Sequence, residues 1–195
     1  IRPEDTSEIL TDMLAGRFIE ESRLMLLATL TRPDGTVVTT IALNDIVVQK
    51  FDVGRMLEVT VHMDGTYVNR HRGDGLIVTT PTGSTAYALS GGGPIMAPGI
   101  DAIAMVPICP HTLSDRPVVV SADAGLNLTI DEPTGGGHAQ VMADGQRLSD
   151  MRDGDTLTIG RARENVTLLH PIDYDYFRIL RSKLAWGRGE PDRMG

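Results

Sequence analysis

The sequence predicts a mainly β fold: a two-sheet, sandwich-like domain with short helices and a C-terminal tail helix. Short runs rich in Val, Ile, Leu and Thr recur along the 195 residues, each about the length of one strand. Asp-Gly pairs punctuate them at Asp34-Gly35, Asp64-Gly65, Asp144-Gly145 and Asp153-Gly154, where glycine supplies the positive φ of a hairpin turn. Helical spacing shows near the two ends. Strands at this spacing indicate a sandwich or barrel, and no repeat of fixed length suggests a solenoid.

Residues 1–12 are polar and open with Arg2-Pro3-Glu4-Asp5, as a linker or loop does. Ile9, Leu10, Met13, Leu14 and Phe18 are spaced for a short amphipathic helix over Glu8–Ile19. Arg23–Thr31 and Thr36–Ile41 flank Asp34-Gly35 as a hairpin, and Met56–Met63 with Thr66–Asn69 repeat the pattern about Asp64-Gly65. Leu76-Ile77-Val78 reads as a buried strand that Pro81 ends, since proline lacks the ladder's N–H. Leu126–Ile130, Ala139–Met142 and Thr156–Ile159 are further strands. Residues 131–138, with three consecutive glycines, form a surface loop. Tyr176, Phe177, Leu180 and Leu184 make one helical stripe, and Gly187–Gly195 is expected to be disordered.

With 41% hydrophobic and 4% aromatic residues, the core is aliphatic. A net charge of -8 argues against nucleic acid as a partner, which needs a basic face; a few local arginines suffice for a nucleotide. No apolar run is long enough for a membrane span and no signal-peptide pattern opens the chain. One cysteine, Cys109, excludes an internal disulfide and suits a reducing cytoplasm; with no basic residue immediately before it, it reads as a buried small apolar group. The five histidines show no metal-ligand spacing, so a protein-held zinc is not expected.

Between Asp74 and Gly93 the chain runs strand, hydroxyl-rich turn (Thr82-Gly83-Ser84-Thr85), then a helix start at Ala86-Tyr87-Ala88-Leu89. Thr82 or Ser84 is placed to cap the first turn. Free amides and hydroxyls converging there suit a polar ligand; local chemistry equally allows a turn that merely caps itself. Asn44-Asp45 separates the apolar runs 40–43 and 46–48. A polar pair in mid-strand marks a bulge or an edge. Arg70-His71-Arg72 is a basic edge or, beside a binding loop, a fork for a diphosphate. Gln146 follows a turn and could simply face solvent. A Ser/Asp/His trio lies within Pro107–Pro117, but without a Gly-x-Ser-x-Gly elbow it does not make a hydrolase.

Asp74-Gly75, Thr80-Pro81-Thr82-Gly83-Ser84-Thr85-Ala86-Tyr87 and Ser90-Gly91-Gly92, together with Asn44-Asp45 and residues 107–117, resemble the NAD kinases, which phosphorylate the adenosine ribose of NAD to NADP. The resemblance runs from about Ser22 to His170. It implies that Asn44, Asp45, Thr82, Thr85, Ala86, Tyr87, Ala88, Leu89, Ser90 and Gln146 contact the dinucleotide, with Arg72, Asp74 and, less securely aligned, Arg55. Asp74 is implied to act on a ligand held by a neighbouring subunit, hence a homodimer or homotetramer. It implies NAD or NADP as substrate or product, and ATP (or polyphosphate) as donor with Mg²⁺ or another divalent metal.

The family's Gly-Gly-Asp-Gly motif, carrying the general base on an N-terminal α/β domain, occurs nowhere here. The expected organisation is therefore residues 1–20 as a linker and short helix from that absent domain, 21–170 as the β-rich dinucleotide-binding domain, and 171–195 as a helix and flexible tail returning to it. Such a chain binds a dinucleotide without phosphorylating it. A non-catalytic dinucleotide-binding module and a distantly related lipid kinase are the alternatives; Asn44-Asp45 and residues 80–90 suit a polar dinucleotide better than an acyl chain.

Overall fold

Alternation and turn chemistry become two facing sheets. The computed structural model describes residues 6–51, 56–131 and 138–186; residues 1–5, 132–137, Arg55 and Gly187–Gly195, on which expectations fell, lie outside them. The elements are α1 (Thr6–Leu14), β1 (Ile19–Arg23), β2 (Leu26–Thr31), β3 (Val37–Ala42), β4 (Asp45–Lys50), β5 (Leu57–Met63), β6 (Thr66–Gly73), β7 (Gly75–Thr79), α2 (Tyr87–Ser90), β8 (Ala102–Ile108), β9 (Val118–Ser121), β10 (Leu126–Asp131), β11 (His138–Ala143), β12 (Gln146–Arg152), β13 (Thr156–Arg161), β14 (Val166–His170) and α3 (Tyr176–Leu184).

The chain separates into two units, Ser22–Val166 and Ile1–Glu21 with Thr167–Gly195. The first is the sandwich. Its sheets run β3-β2-β13-β10-β5-β6 and β12-β11-β4-β7-β8-β9, and neighbouring strands are antiparallel. Leu26, Ala28 and Leu30 of β2 point into the shared core while Leu27 and Thr31 face out. They meet Ile46 and Val48 of β4, Leu76 and Val78 of β7, and Leu126 and Leu128 of β10. Central strands β7 and β8 carry continuous apolar runs because both faces are covered. On the outer face Ala88 and Met96 pack over Val47, Ile77, Ala104 and Val106. The segment carrying the hydroxyl-rich turn is thus laid flat on the second sheet. Gly91 and Gly93 permit that approach: a Cβ would stand 3.0 Å from Val106 Cγ1 at the former and 2.8 Å from Val106 Cγ2 at the latter.

Asp64-Gly65 and Asp144-Gly145 hold φ of 50°, 80°, 48° and 76°, left-handed pairs that match strand twist. Several expectations are corrected. α1 ends at Leu14, where Gly16 takes φ 83°, so Ile19 begins a strand instead of ending a helix. β6 runs on to Gly73. β8 holds Pro107 because β9 pairs only as far as Met105, so the missing N–H falls where that side of the strand is open. Leu43-Asn44 is neither bulge nor mid-strand: it is where the chain steps from the first sheet (β3) to the second (β4). Asp74 is a one-residue step of the same kind, from β6 to β7.

In the other unit, His170 Nε2 lies 2.8 Å from Glu21 Oε2, and Asp175 caps α3 by accepting from the Arg178 amide at 3.0 Å. Leu180 is buried, but Phe177 is 56% exposed, so the stripe narrows to Tyr176, Leu180 and Leu184, four residues apart.

Candidate functional site

The step at Leu43-Asn44 leaves the backbone ladder of both sheets, so its polar groups need other partners. The Asp144 carboxylate supplies them on one side, accepting from the amides of Leu43 (2.7 Å), Asn44 (2.7 Å) and Asp45 (3.1 Å). Thr79 and Thr80 supply the other. The Thr80 hydroxyl donates to Leu43 O at 2.6 Å; the Thr80 amide and Thr79 hydroxyl donate to Asn44 O at 2.9 and 3.1 Å. The backbone is saturated, and the two side chains are not. Among the described residues, neither the Asn44 amide nor the Asp45 carboxylate has a hydrogen-bond partner. Asp45 is only 5% exposed. Burial, and secondarily the neighbouring Asp144 carboxylate, pushes its carboxyl up to about 6. A buried carboxylate without a donor is costly unless something else supplies one.

Against this pair stands the turn. Gly83 comes so close that a Cβ there would lie 2.2 Å from Asn44 O. The expected cap is corrected: Thr80, not Thr82 or Ser84, accepts from the Gly83 amide (3.1 Å). The Thr82 hydroxyl instead accepts from Arg23 Nη1 at 3.3 Å. Ser84 is buried, donating to Pro81 O at 2.7 Å and accepting from the Met96 amide at 3.0 Å. α2 is a single turn of four residues, too short for a helix-dipole site. Thr85, Ala86, Tyr87 and Ser90 are exposed, Thr82 and Leu89 half-buried. Ala88 is fully buried on the sheet, so its side chain is a spacer beneath the turn and not a contact surface. Gln146 opens β12 and lines a pocket of about 280 Å³ with Thr40, Asp144 and Arg147.

Arg72 and Asp74 lie elsewhere. Asp74 precedes β7 and Thr80 follows it, and Asp45 pairs with Thr79 while Gln49 pairs with Gly75. The two groups therefore sit at opposite ends of these strands, about 15 Å apart at a rise of about 3.3 Å per residue. There Asp74 is held by Lys50 Nζ at 2.6 Å, and Arg72 Nε by Glu58 Oε1 at 2.8 Å. Next to them, buried His71 faces buried Asp115 at 3.4 Å, and Asn69 donates to the same carboxylate at 2.9 Å. Cys109 is exposed, not buried; it sits just past β8 at φ 45°, where the chain turns out of the sheet. Among the described residues no three His, Cys, Asp or Glu are placed to hold a metal. Of the two adjacent carboxylates, Asp144 already spends both oxygens on amides.

Sequence reasoning missed Asp144, Thr79, Thr80 and Lys50. Asp144 was visible only as the first half of a turn, and nothing local distinguishes a clamp from a turn former.

A two-sheet antiparallel β domain that sets Asn44 and Asp45 beside a hydroxyl-rich turn defines the class of protein. Residues 43–170 match the family described as ATP-NAD kinase C-terminal domain, and the chain belongs to that family. It is 45% identical over 179 residues to the NAD kinase of Nitrosomonas europaea and 46% over 177 residues to that of Thiobacillus denitrificans. It spans 92% and 91% of its own length in these matches, but only 60% of the length of either relative. Among solved structures, an Archaeoglobus fulgidus NAD kinase in complex with ATP superposes with TM-score 0.71 at 28% identity, covering 93% of this chain and 66% of that one. Yeast NADH kinase complexed with NADH shares the fold, with TM-score 0.88, 24% identity, and coverage of 98% and 57%.

Proposed function

We propose that this chain is the dinucleotide-binding part of an NAD kinase, an enzyme that transfers phosphate from ATP to the adenosine ribose 2′-hydroxyl of NAD. The observation that carries this reading is the pair Asn44-Asp45, whose backbone is fully bonded while its two side chains have no partner among the described residues. Asn44 offers donor and acceptor to an amide or base edge, and Asp45 accepts hydroxyl protons from a ribose diol. Thr85, Ala86, Tyr87 and Ser90 form the exposed rim of the turn above them, and Gln146 closes the side beyond Asp144. ATP, or polyphosphate, is the donor, and a divalent metal such as Mg²⁺ arrives on its phosphates.

No Gly-Gly-Asp-Gly string occurs in these 195 residues, so the base that removes the 2′-hydroxyl proton is assigned to a part of the enzyme outside them. Arg72 and Asp74, at the far end of β4 and β7, are assigned to the ligand of a neighbouring subunit in a homodimer or homotetramer. The net charge of -8 argues against a nucleic-acid partner, and the single cysteine suits a cytoplasmic enzyme.

Titrating NADP by calorimetry into the wild type and Asn44→Ala tests the site. Loss of about 1–3 kcal/mol is expected on deleting a ligand hydrogen bond; equal affinities remove Asn44 from it. A coupled NADPH assay with ATP and Mg²⁺ tests the division of labour, and turnover by this chain alone refutes it.

A further inference from the structure

We propose that Asp144 is the positioning residue of the site, its carboxylate fixing the backbone of Leu43, Asn44 and Asp45 so that the Asn44 and Asp45 side chains point to the ligand. The proposal rests on the reading of Asn44-Asp45 as a dinucleotide site and adds a residue that touches no ligand itself. Three consecutive amides on one carboxylate, at 2.7, 2.7 and 3.1 Å, are charge-assisted bonds of the stronger kind. The Asp144 amide returns a bond to Asp45 O at 3.0 Å, so the turn and the sheet step are tied in both directions. Asp144 holds a left-handed φ of 48° in the turn that carries this carboxylate.

A second consequence follows from charge. Asp45 is buried beside Asp144, and its raised proton affinity comes first from burial and then from the Asp144 charge, which the clamp brings close. The other elements around Asp45 offer little relief. Opposite it, β7 presents Thr79; residues 80–84 present hydroxyls; from β12, Arg147 lines the pocket beside Asp144 but pairs with Asp150 at 2.7 Å. Arg23 donates to the Thr82 hydroxyl. An Asp45 that must be ionised to accept ribose hydroxyls then makes affinity fall as pH drops through about 6, by up to tenfold per pH unit for one proton. Removing the Asp144 charge moves that inflection to lower pH.

The test is NADP calorimetry from pH 5 to 8 on the whole chain, for the wild type, Asp144→Asn and Asp144→Glu. Hydrogen exchange of the Leu43 and Asn44 amides is measured without ligand. For Asp144→Asn the expected result is at least tenfold weaker binding at pH 8, faster amide exchange and an inflection displaced downward. Asp144→Glu, which keeps the charge but displaces the acceptors, weakens binding with the inflection in place. A merely structural role would change affinity and leave the inflection where it is in both variants, which overturns the electrostatic half of the proposal. Wild-type affinity and exchange in Asp144→Asn overturn all of it. If Asp144→Asn does not fold, Asp144→Glu decides alone: unchanged binding and amide exchange refute the clamp. Failure of the site reading is distinguishable, because Asn44→Ala and Asp45→Asn would then bind NADP like the wild type.

Discussion

Replacing Asp45 by Asn should make the free domain more stable while emptying it of function. The carboxyl is raised from 3.8 to about 6 in the fold, a shift of about two units, and each unit corresponds to about 1.36 kcal/mol. Below about pH 4 the group is protonated both folded and unfolded, and contributes no difference. Above about pH 6 it is ionised in both, and the folded state carries the whole penalty, with a ceiling of about 3 kcal/mol. On this group alone, stability is greatest at low pH and declines between about pH 4 and 6. Asn fits the same space without a charge, so the variant escapes the decline. Urea unfolding followed by circular dichroism, for both proteins at pH 4 and pH 8, isolates the effect as a difference of differences. The expected gain is about 1–3 kcal/mol at pH 8, shrinking toward zero at pH 4. A variant less stable than the wild type at pH 8, or a gap that does not change with pH, would falsify the account of Asp45 as an unpaired buried charge.

Thr80→Val removes a hydroxyl that joins Leu43 O to the Gly83 amide and should cost about 1–3 kcal/mol of stability, read by thermal unfolding. Gly83→Ala drives a methyl to 2.2 Å from Asn44 O; because the obstacle is backbone, it should lower stability by about 1–3 kcal/mol and weaken NADP binding with it. Mixing Asn44→Ala with Asp74→Ala chains should regenerate some tight sites if neighbouring subunits complete each other's site. No recovery on subunit exchange, or a clean monomer by light scattering that binds fully, excludes sharing.

Much of the fold was legible because alternation and Asp-Gly turns are local. β2, β3, β5, β7, β10, β11 and β13 announce themselves by their own residues. β8 did not, since Pro107 disguises a central strand whose ladder toward β9 is open beyond Met105; β9 and β14 were passed over although Val118-Val119-Val120 and Val166-Thr167-Leu168 are strand-like runs. In the site, Asn44-Asp45 and the turn at 82–87 were visible as polar residues where apolar ones were due. Why they interrupt the pattern was not visible. Both Leu43-Asn44 and Asp74 are steps between sheets, a fact fixed by pairing partners remote in sequence, about thirty residues for β7 with β4 and β8 and a hundred for Asp144 with Asn44. The cap assigned to Thr82 or Ser84 failed because Thr80 takes the Gly83 amide, while Ser84 is turned to Pro81 O and the Met96 amide.

The height of the turn above the second sheet is set by atoms that are missing. Ala88, Gly91 and Gly93 form a shim whose thickness is a methyl or nothing, seated on Val47, Ile77 and Val106. Adding one carbon to that layer would tip Thr85-Ala86-Tyr87 relative to the Asn44-Asp45 pair, which is anchored separately through Asp144. Selection for a particular ligand would then register on residues that never meet it. A search for specificity confined to the ligand's neighbours would overlook the layer that decides where those neighbours stand.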